Sequence, residues 1–282
     1  MTVSIVVLTY NGGDLLARVV DRLLEQRVPE ELEVVLVDSG SNDGSERLAN
    51  ERCQSVSIGT GEFGFGYARD LGFDAARGDY IATISQDYLP SDKNWLDSLV
   101  DPLRNGADVT MGAANAWPDR RPFYWETRQF WWTREGRRFQ HEYGGRNFSC
   151  VALATRRQVW RESGGFGRDT PMSEDKYFQR ATFEAGFRDV IYVPEATGWH
   201  GHTYNLKSLA KRCENEGFGW KWLGEQYRTL DFALDLVNLK TYAKLGMGLL
   251  QGRVRTPAEL LFPWVRPISV YRGNRWNNEW KR

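Results

Sequence analysis

The chain is poor in residues that staple or ligate, with three cysteines and three histidines among 282 residues. Cys53, Cys150 and Cys213 lie far apart and show no C-x-x-C spacing, which excludes a disulfide framework or a zinc finger. No stretch approaches the roughly 20 apolar residues that span a bilayer. Net charge is missing too. Lys+Arg total 37 and Asp+Glu total 37, so no overall field gathers nucleic acid. The opening MTVSIVVLTYNGGD has neither a positive n-region nor a small-residue cleavage site, so the expectation is a cytoplasmic chain with reduced thiols. There is no internal repeat and no low-complexity tract. What is there has the composition of an ordinary globular protein, long enough for about one or two domains.

Residues 3–9 (VSIVVLT) form a continuous β-branched run, and Leu15, Leu16, Val19, Val20, Leu23 and Leu24 follow at helical spacing. Strand-like runs recur at 32–38, 55–58 and 80–85, separated by helical stretches at 45–52 and 67–77. Apolar strands alternating with helices predict a parallel sheet covered on both faces. In such sheets ligands bind beyond the carboxyl ends of the strands, which puts Thr9, Tyr10, Asn11, Asp38, Gln86 and Asp87 on one rim. Further along, a strand is expected at 148–154, a helix at 173–185, a short strand at 190–193 and helical stretches around 206–222 and 230–250.

Between these lies a long segment, 116–146, with seven arginines and many aromatic rings. Long loops in compact domains are usually functional. Rings such as Trp125, Trp131 and Trp132 suit either sugar C–H faces or a buried core, and arginines suit a phosphate. Residues 253–282 hold six Arg and one Lys against Glu259 and Glu279, with Trp264, Trp276 and Trp280 among them. Arg with Trp suits peripheral contact with an anionic membrane surface. The alternative is that this tail packs on the catalytic domain or on a second subunit, as in a homodimer.

Asp38-Ser39-Gly40-Ser41-Asn42-Asp43-Gly44-Ser45 follows an apolar strand directly. A carboxylate there can accept the imide N–H of uracil or thymine, and Ser39 lies beside it; a simple helix-capping loop is the bland reading. Gly59-x-Gly61-x-x-Gly64 matches the dinucleotide fingerprint, but it follows the third strand and its helix begins too late, which argues against a nicotinamide enzyme. It leads instead to Arg69, whose guanidinium suits a diphosphate.

SIVVLTYNGGDLLARVVDRLLEQ, VLVDSGSNDGS, GYARDLGFDAARGDYIATISQDYLP and MSEDKYFQRATFEAGFRDVIYVPEA stand in order and at the spacing of family-two glycosyltransferases of the GT-A fold. Over about residues 3–225 the chain resembles that family, and most of all its bacterial rhamnosyltransferase branch. The resemblance implies an α/β catalytic domain over 1–225 with a mixed, mostly parallel sheet flanked by helices, and a C-terminal helix and basic aromatic tail over 226–282. It implies inverting, metal-dependent transfer from a nucleoside-diphosphate sugar, foremost dTDP-L-rhamnose, to a glycan or lipid-linked acceptor in bacterial polysaccharide synthesis, with Trp125, Trp131 and Trp132 on the acceptor side. A UDP-hexose donor, or a non-catalytic nucleotide- or glycan-binding module, is the alternative. No nucleic acid partner is implied.

The family's aspartate-x-aspartate signature reads Ser85-Gln86-Asp87 here. Asp87 is then expected to hold Mn²⁺ or Mg²⁺ against the diphosphate, where positive charge stabilises the leaving group. With one anionic ligand lost to Gln86, a histidine of His200-Gly201-His202 is the expected replacement, His202 ahead of His200, since i and i+2 share a face in extended chain. Glu174-Asp175 matches the family's Glu-Asp motif. Asp175 is the expected base for the acceptor hydroxyl, with Glu174 as substitute. Arg69-Asp70 stands where the branch has Arg-Asn, which leaves position 70 without an inherited role.

Overall fold

The computed structural model describes residues 1–59, 61–126 and 134–275. In chain order the elements are β1 (Thr2–Thr9), α1 (Gly13–Leu24), β2 (Glu31–Asp38), α2 (Ser45–Arg52), β3 (Gln54–Ser57), α3 (Phe65–Ala75), β4 (Tyr80–Ser85), β5 (Leu89–Pro90), α4 (Trp95–Arg104), β6 (Val109–Asn115), α5 (Arg134–Glu142), β7 (Ala152–Arg156), α6 (Arg157–Ser163), α7 (Glu174–Glu184), β8 (Val190–Trp199), α8 (Leu206–Trp222), α9 (Thr229–Leu236), α10 (Leu239–Leu250) and α11 (Pro257–Asn274). They fall into two units. One joins Met1–Asn115 to Arg146–His200; the other joins Ala116–Gly145 to Gly201–Arg282.

The first unit holds the whole sheet, in the order β3-β2-β1-β4-β7-β6-β8-β5. Neighbours from β3 to β4 run parallel, β7 opposes both β4 and β6, and β8 runs parallel to β6. It is the mixed, largely parallel sheet that the sequence predicts. Val3, Ile5, Val6 and Val7 are fully buried, as a strand covered on both faces requires. Leu16, Val19, Val20 and Leu23 form the buried stripe of α1 at the spacing that one helix face needs.

Some boundaries differ from expectation. The chain makes a turn at 149–152, with Ala152 N–H donating to Ser149 O (3.4 Å), so β7 begins later than the predicted strand. Strand β8 runs on to Trp199, well past 193. The helix expected over 230–250 is broken in two because the Asn238 side chain accepts from Lys240 N–H (3.1 Å) and so caps a new start. The basic tail contains α11, opened by a capping box in which Thr256 and Glu259 exchange side-chain-to-backbone bonds, with Pro257 at the first helical position.

The second unit has its own core. Trp125, fully buried, stacks on Phe262 (centroids 4.6 Å apart, planes at 13°), and its indole N–H donates to Glu259 O (2.7 Å). Glu259 is buried among donors: Arg121 reaches both its oxygens (2.9 and 3.0 Å), and the N–H groups of Tyr124, Arg255 and Thr256 complete the set. Burial works against the charge, but those donors outweigh it and hold the Glu259 carboxyl below its ordinary value. The described residues of 116–145 draw their partners from α8 to α11.

Candidate active site

The loops that leave β1, β2 and β4 at their carboxyl ends are laced together. Thr9 lies beside Asp38 in register, and Leu8 beside Ser85. Ser39 N–H donates to Thr9 O (3.0 Å), Asn11 N–H to Ser41 Oγ (2.9 Å), Asn42 N–H to Asn11 Oδ1 (2.9 Å), and Gly13 N–H to Asp43 Oδ2 (2.8 Å). Asn11 sits at φ 49°, a left-handed conformation that asparagine tolerates better than most residues. The Tyr10 ring, half exposed, stands free on this rim.

Gln86 ties β4 to β1. Its Oε1 accepts from Thr9 Oγ1 (3.1 Å) and Tyr10 N–H (2.9 Å), while its Nε2 donates to Tyr10 O (3.3 Å). Only an amide serves both faces of that backbone; a carboxylate would meet the Tyr10 carbonyl as an acceptor against an acceptor. Gln86 thus has a structural part at this position. Asp87 is partly exposed, and its Oδ1 lies 3.5 Å from His200 Nε2. His200 follows directly on β8 and is held there by its N–H donating to Asn115 O (2.9 Å). A carboxylate oxygen beside an imidazole nitrogen fits a divalent cation, and the imidazole favours Mn²⁺ over Mg²⁺. His202 comes two residues later and belongs to the second unit, where its N–H donates to Glu126 (3.4 Å) and its ring stands edge-on to Tyr204.

Three sequence expectations change. Asp38 has no exposed surface. Its Oδ1 accepts from Gly40 and Ser41 N–H (both 2.9 Å) and its Oδ2 from Ser41 Oγ (2.6 Å), so it shapes the loop in which a base acceptor was expected. Arg69, expected to meet the diphosphate, is buried: it donates to Glu174 Oε1 (3.0 Å) and to Thr83 Oγ1, and lies over the Phe166 ring. Glu174, expected to substitute as base, is locked in that pair. Burial pushes its carboxyl up, against the pull of Arg69.

Asp175 is different. Its side chain is about a quarter exposed; its Oδ1 accepts from Lys176 N–H (2.8 Å) and its Oδ2 lies 3.0 Å from Lys176 Nζ. Lys176 Nζ also donates to Phe148 O, and Ser85 N–H donates to Val151 O (3.4 Å). The short segment 148–151 therefore joins the end of β4 to the start of α7. Sequence reasoning missed Lys176, although it stands directly after the acidic pair. Asp70 acquires a role: its Oδ1 accepts from Trp160 Nε1 and Phe166 N–H, both at 2.9 Å, pinning the glycine-rich turn at 164–167 against α3.

Of the expected acceptor-side rings, Trp125 is a core residue of the second unit with no face to offer a sugar. Phe123, Tyr124 and Phe139 are buried there as well. Trp131 and Trp132 lie outside the described residues.

The model of the family described as "Glycosyl transferase family 2" matches residues 4–162. The O-antigen chain rhamnosyltransferase RfbN of Salmonella typhimurium is 26% identical over 77% of this chain and 72% of its own length. The glucosyl-dolichyl phosphate glucuronosyltransferase of Haloferax volcanii is 27% identical over 82% of this chain and 78% of its own. Among solved structures, a mannosyltransferase from Pyrobaculum calidifontis, in complex with GDP-Man and Mn²⁺, superposes with a TM-score of 0.63 at 19% identity, over 98% of this chain and 88% of that one. That likeness is one of fold.

Proposed function

Because the chain belongs to glycosyl transferase family 2, we propose that this nucleotide-sugar glycosyltransferase inverts the anomeric centre of its donor, foremost dTDP-L-rhamnose, and extends a surface polysaccharide or lipid-linked glycan. The similarity to an O-antigen rhamnosyltransferase supports that donor, and similarity to a glucuronosyltransferase keeps a UDP-hexose as the alternative. One observation carries the site: a partly exposed carboxylate and an imidazole, Asp87 and His200, beside the laced rim of a parallel sheet.

On this reading the nucleobase lies against Tyr10 and the 39–44 loop that Asp38 shapes, with Asn11 and Ser39 beside it. Asp87 and His200 would hold the divalent ion, with His202 the further ligand that the histidine spacing offers. Bound there, the ion neutralises charge on the departing diphosphate. The acceptor oxygen attacks the anomeric carbon, its proton passes to Asp175, and the nucleoside diphosphate leaves with the bonding electron pair. Lys176 holds the Asp175 carboxylate in place. Glu174 and Arg69 support the helix start from beneath and take no proton.

General-base catalysis contributes about 10²–10⁴-fold, so Asp175→Asn should lower kcat by about that factor while donor KM stays nearly constant. Transfer at the parental rate would remove the assignment. Thermal-shift titration with dTDP, UDP and GDP in Mn²⁺ separates the donors, because the bound nucleotide raises apparent stability.

A further inference from the structure

In the second unit two consecutive helices carry apolar residues on the side that faces solvent. On α10 the exposed positions Leu239, Ala243, Met247 and Leu250 stand at i, i+4, i+8 and i+11, one face of a helix, with Lys240 and Leu249 exposed on either side of it. Leu239 is 82% exposed and Leu250 91%. On α11 the exposed positions Pro257, Leu260, Leu261, Trp264 and Ile268 again share one face, which Arg272 continues toward the helix end. The Tyr242 and Trp264 rings lie 5.5 Å apart, which sets the two helices side by side at these faces. Scattered exposed leucines are ordinary, whereas a contiguous patch marks an interaction site.

The charges carried by α10 and the turn into α11 have one sign. Residues 237–258 contain Lys240, Lys244, Arg253 and Arg255 and no acid. Glu259, the first acid beyond, is buried against Arg121. Two copies meeting through this face would set four positive charges against four, which disfavours a symmetric dimer. An anionic bilayer surface matches both properties, since it accepts leucine and tryptophan into its interface and attracts lysine and arginine.

We infer that the outward faces of α10 and α11 form a docking surface for an anionic lipid bilayer. The face lies flat on the interface: among the described residues no helix is long and apolar enough to cross a membrane. This contact stands apart from the sugar-transfer reading. It also differs from the surface that the tail suggested in sequence, because its leucines come from α10, upstream of Arg253.

The full chain is mixed at low salt with vesicles of phosphatidylcholine alone or of phosphatidylcholine with phosphatidylglycerol, and sedimented. Sedimentation with the anionic vesicles only is the expected result. Leu239→Gln with Leu250→Gln should weaken it by roughly tenfold or more, with the melting temperature unchanged because both side chains already stand in solvent. Lys240→Gln with Lys244→Gln should weaken it too and flatten its salt dependence. The inference is overturned if the parent stays in the supernatant, or if the leucine pair binds as well as the parent. A dimer at micromolar concentration that the leucine substitutions dissociate would also overturn it, by giving the face to a second copy.

Discussion

Asp70 is a carboxylate placed where an amide would satisfy the same donors. Burial raises its pKa against the bonds from Phe166 and Trp160. Between the ordinary aspartate value and this raised one, the native state keeps a proton that the unfolded chain releases, so stability falls as pH rises across that window. Asp70→Asn retains an oxygen for both donors and removes the ionisation. Its urea-unfolding free energy should therefore lack that decline and match or exceed the parent's at neutral pH; a variant with the parent's pH slope would contradict this. Arg69 and Glu174 give the opposite expectation. Breaking a buried pair by removing one partner costs about 3–5 kcal/mol, so Arg69→Met should unfold at markedly lower urea, while Arg69→Met with Glu174→Leu recovers much of the loss. At this scale the sequence located the acidic rim and the Glu-Asp pair, but could not say which carboxylates face outward. Asp38, Arg69 and Glu174 are buried by residues distant in the chain, and motif spacing carries no information on that.

Helices α8 and α11 meet backbone to backbone. A Cβ on Gly217 would overlap Val270 O, and one on Gly273 would overlap Glu214 O, both far inside van der Waals contact. The two glycines are reciprocal, one on each helix. Gly217→Ala or Gly273→Ala should force the pair apart and destabilise the second unit by about 1–3 kcal/mol, the usual range for overpacking, seen as a lower unfolding midpoint. A neutral outcome would mean that the helices slide freely. The alternating strands and helices of the first half were legible because both patterns are periodic. The split between α9 and α10 rests on one capping asparagine, and α11 was hidden by its two internal prolines and its basic charge. Its start was nevertheless written in Thr256-Pro257-Ala258-Glu259.

At the scale of the whole chain, ligand linkage is the accessible readout. Nucleoside diphosphate at about a hundred times its Kd in Mn²⁺ should add about 2.7 kcal/mol of apparent stability. Chelating the metal, or His200→Ala, should remove most of that gain; an undiminished gain after chelation would show that nucleotide binding does not require the ion. The second unit is assembled from two separated stretches of chain, Ala116–Gly145 and Gly201–Arg282, and composition changes too little along the chain to announce that. That discontinuity bears on synthesis at the ribosome. Phe123, Tyr124 and Trp125 emerge long before their partners, and Phe262 follows Trp125 by 137 positions. At about 5–20 residues per second, three large rings wait roughly 7–30 s without a core, an interval in which the nascent chain is a natural client for chaperones that shelter aromatic segments.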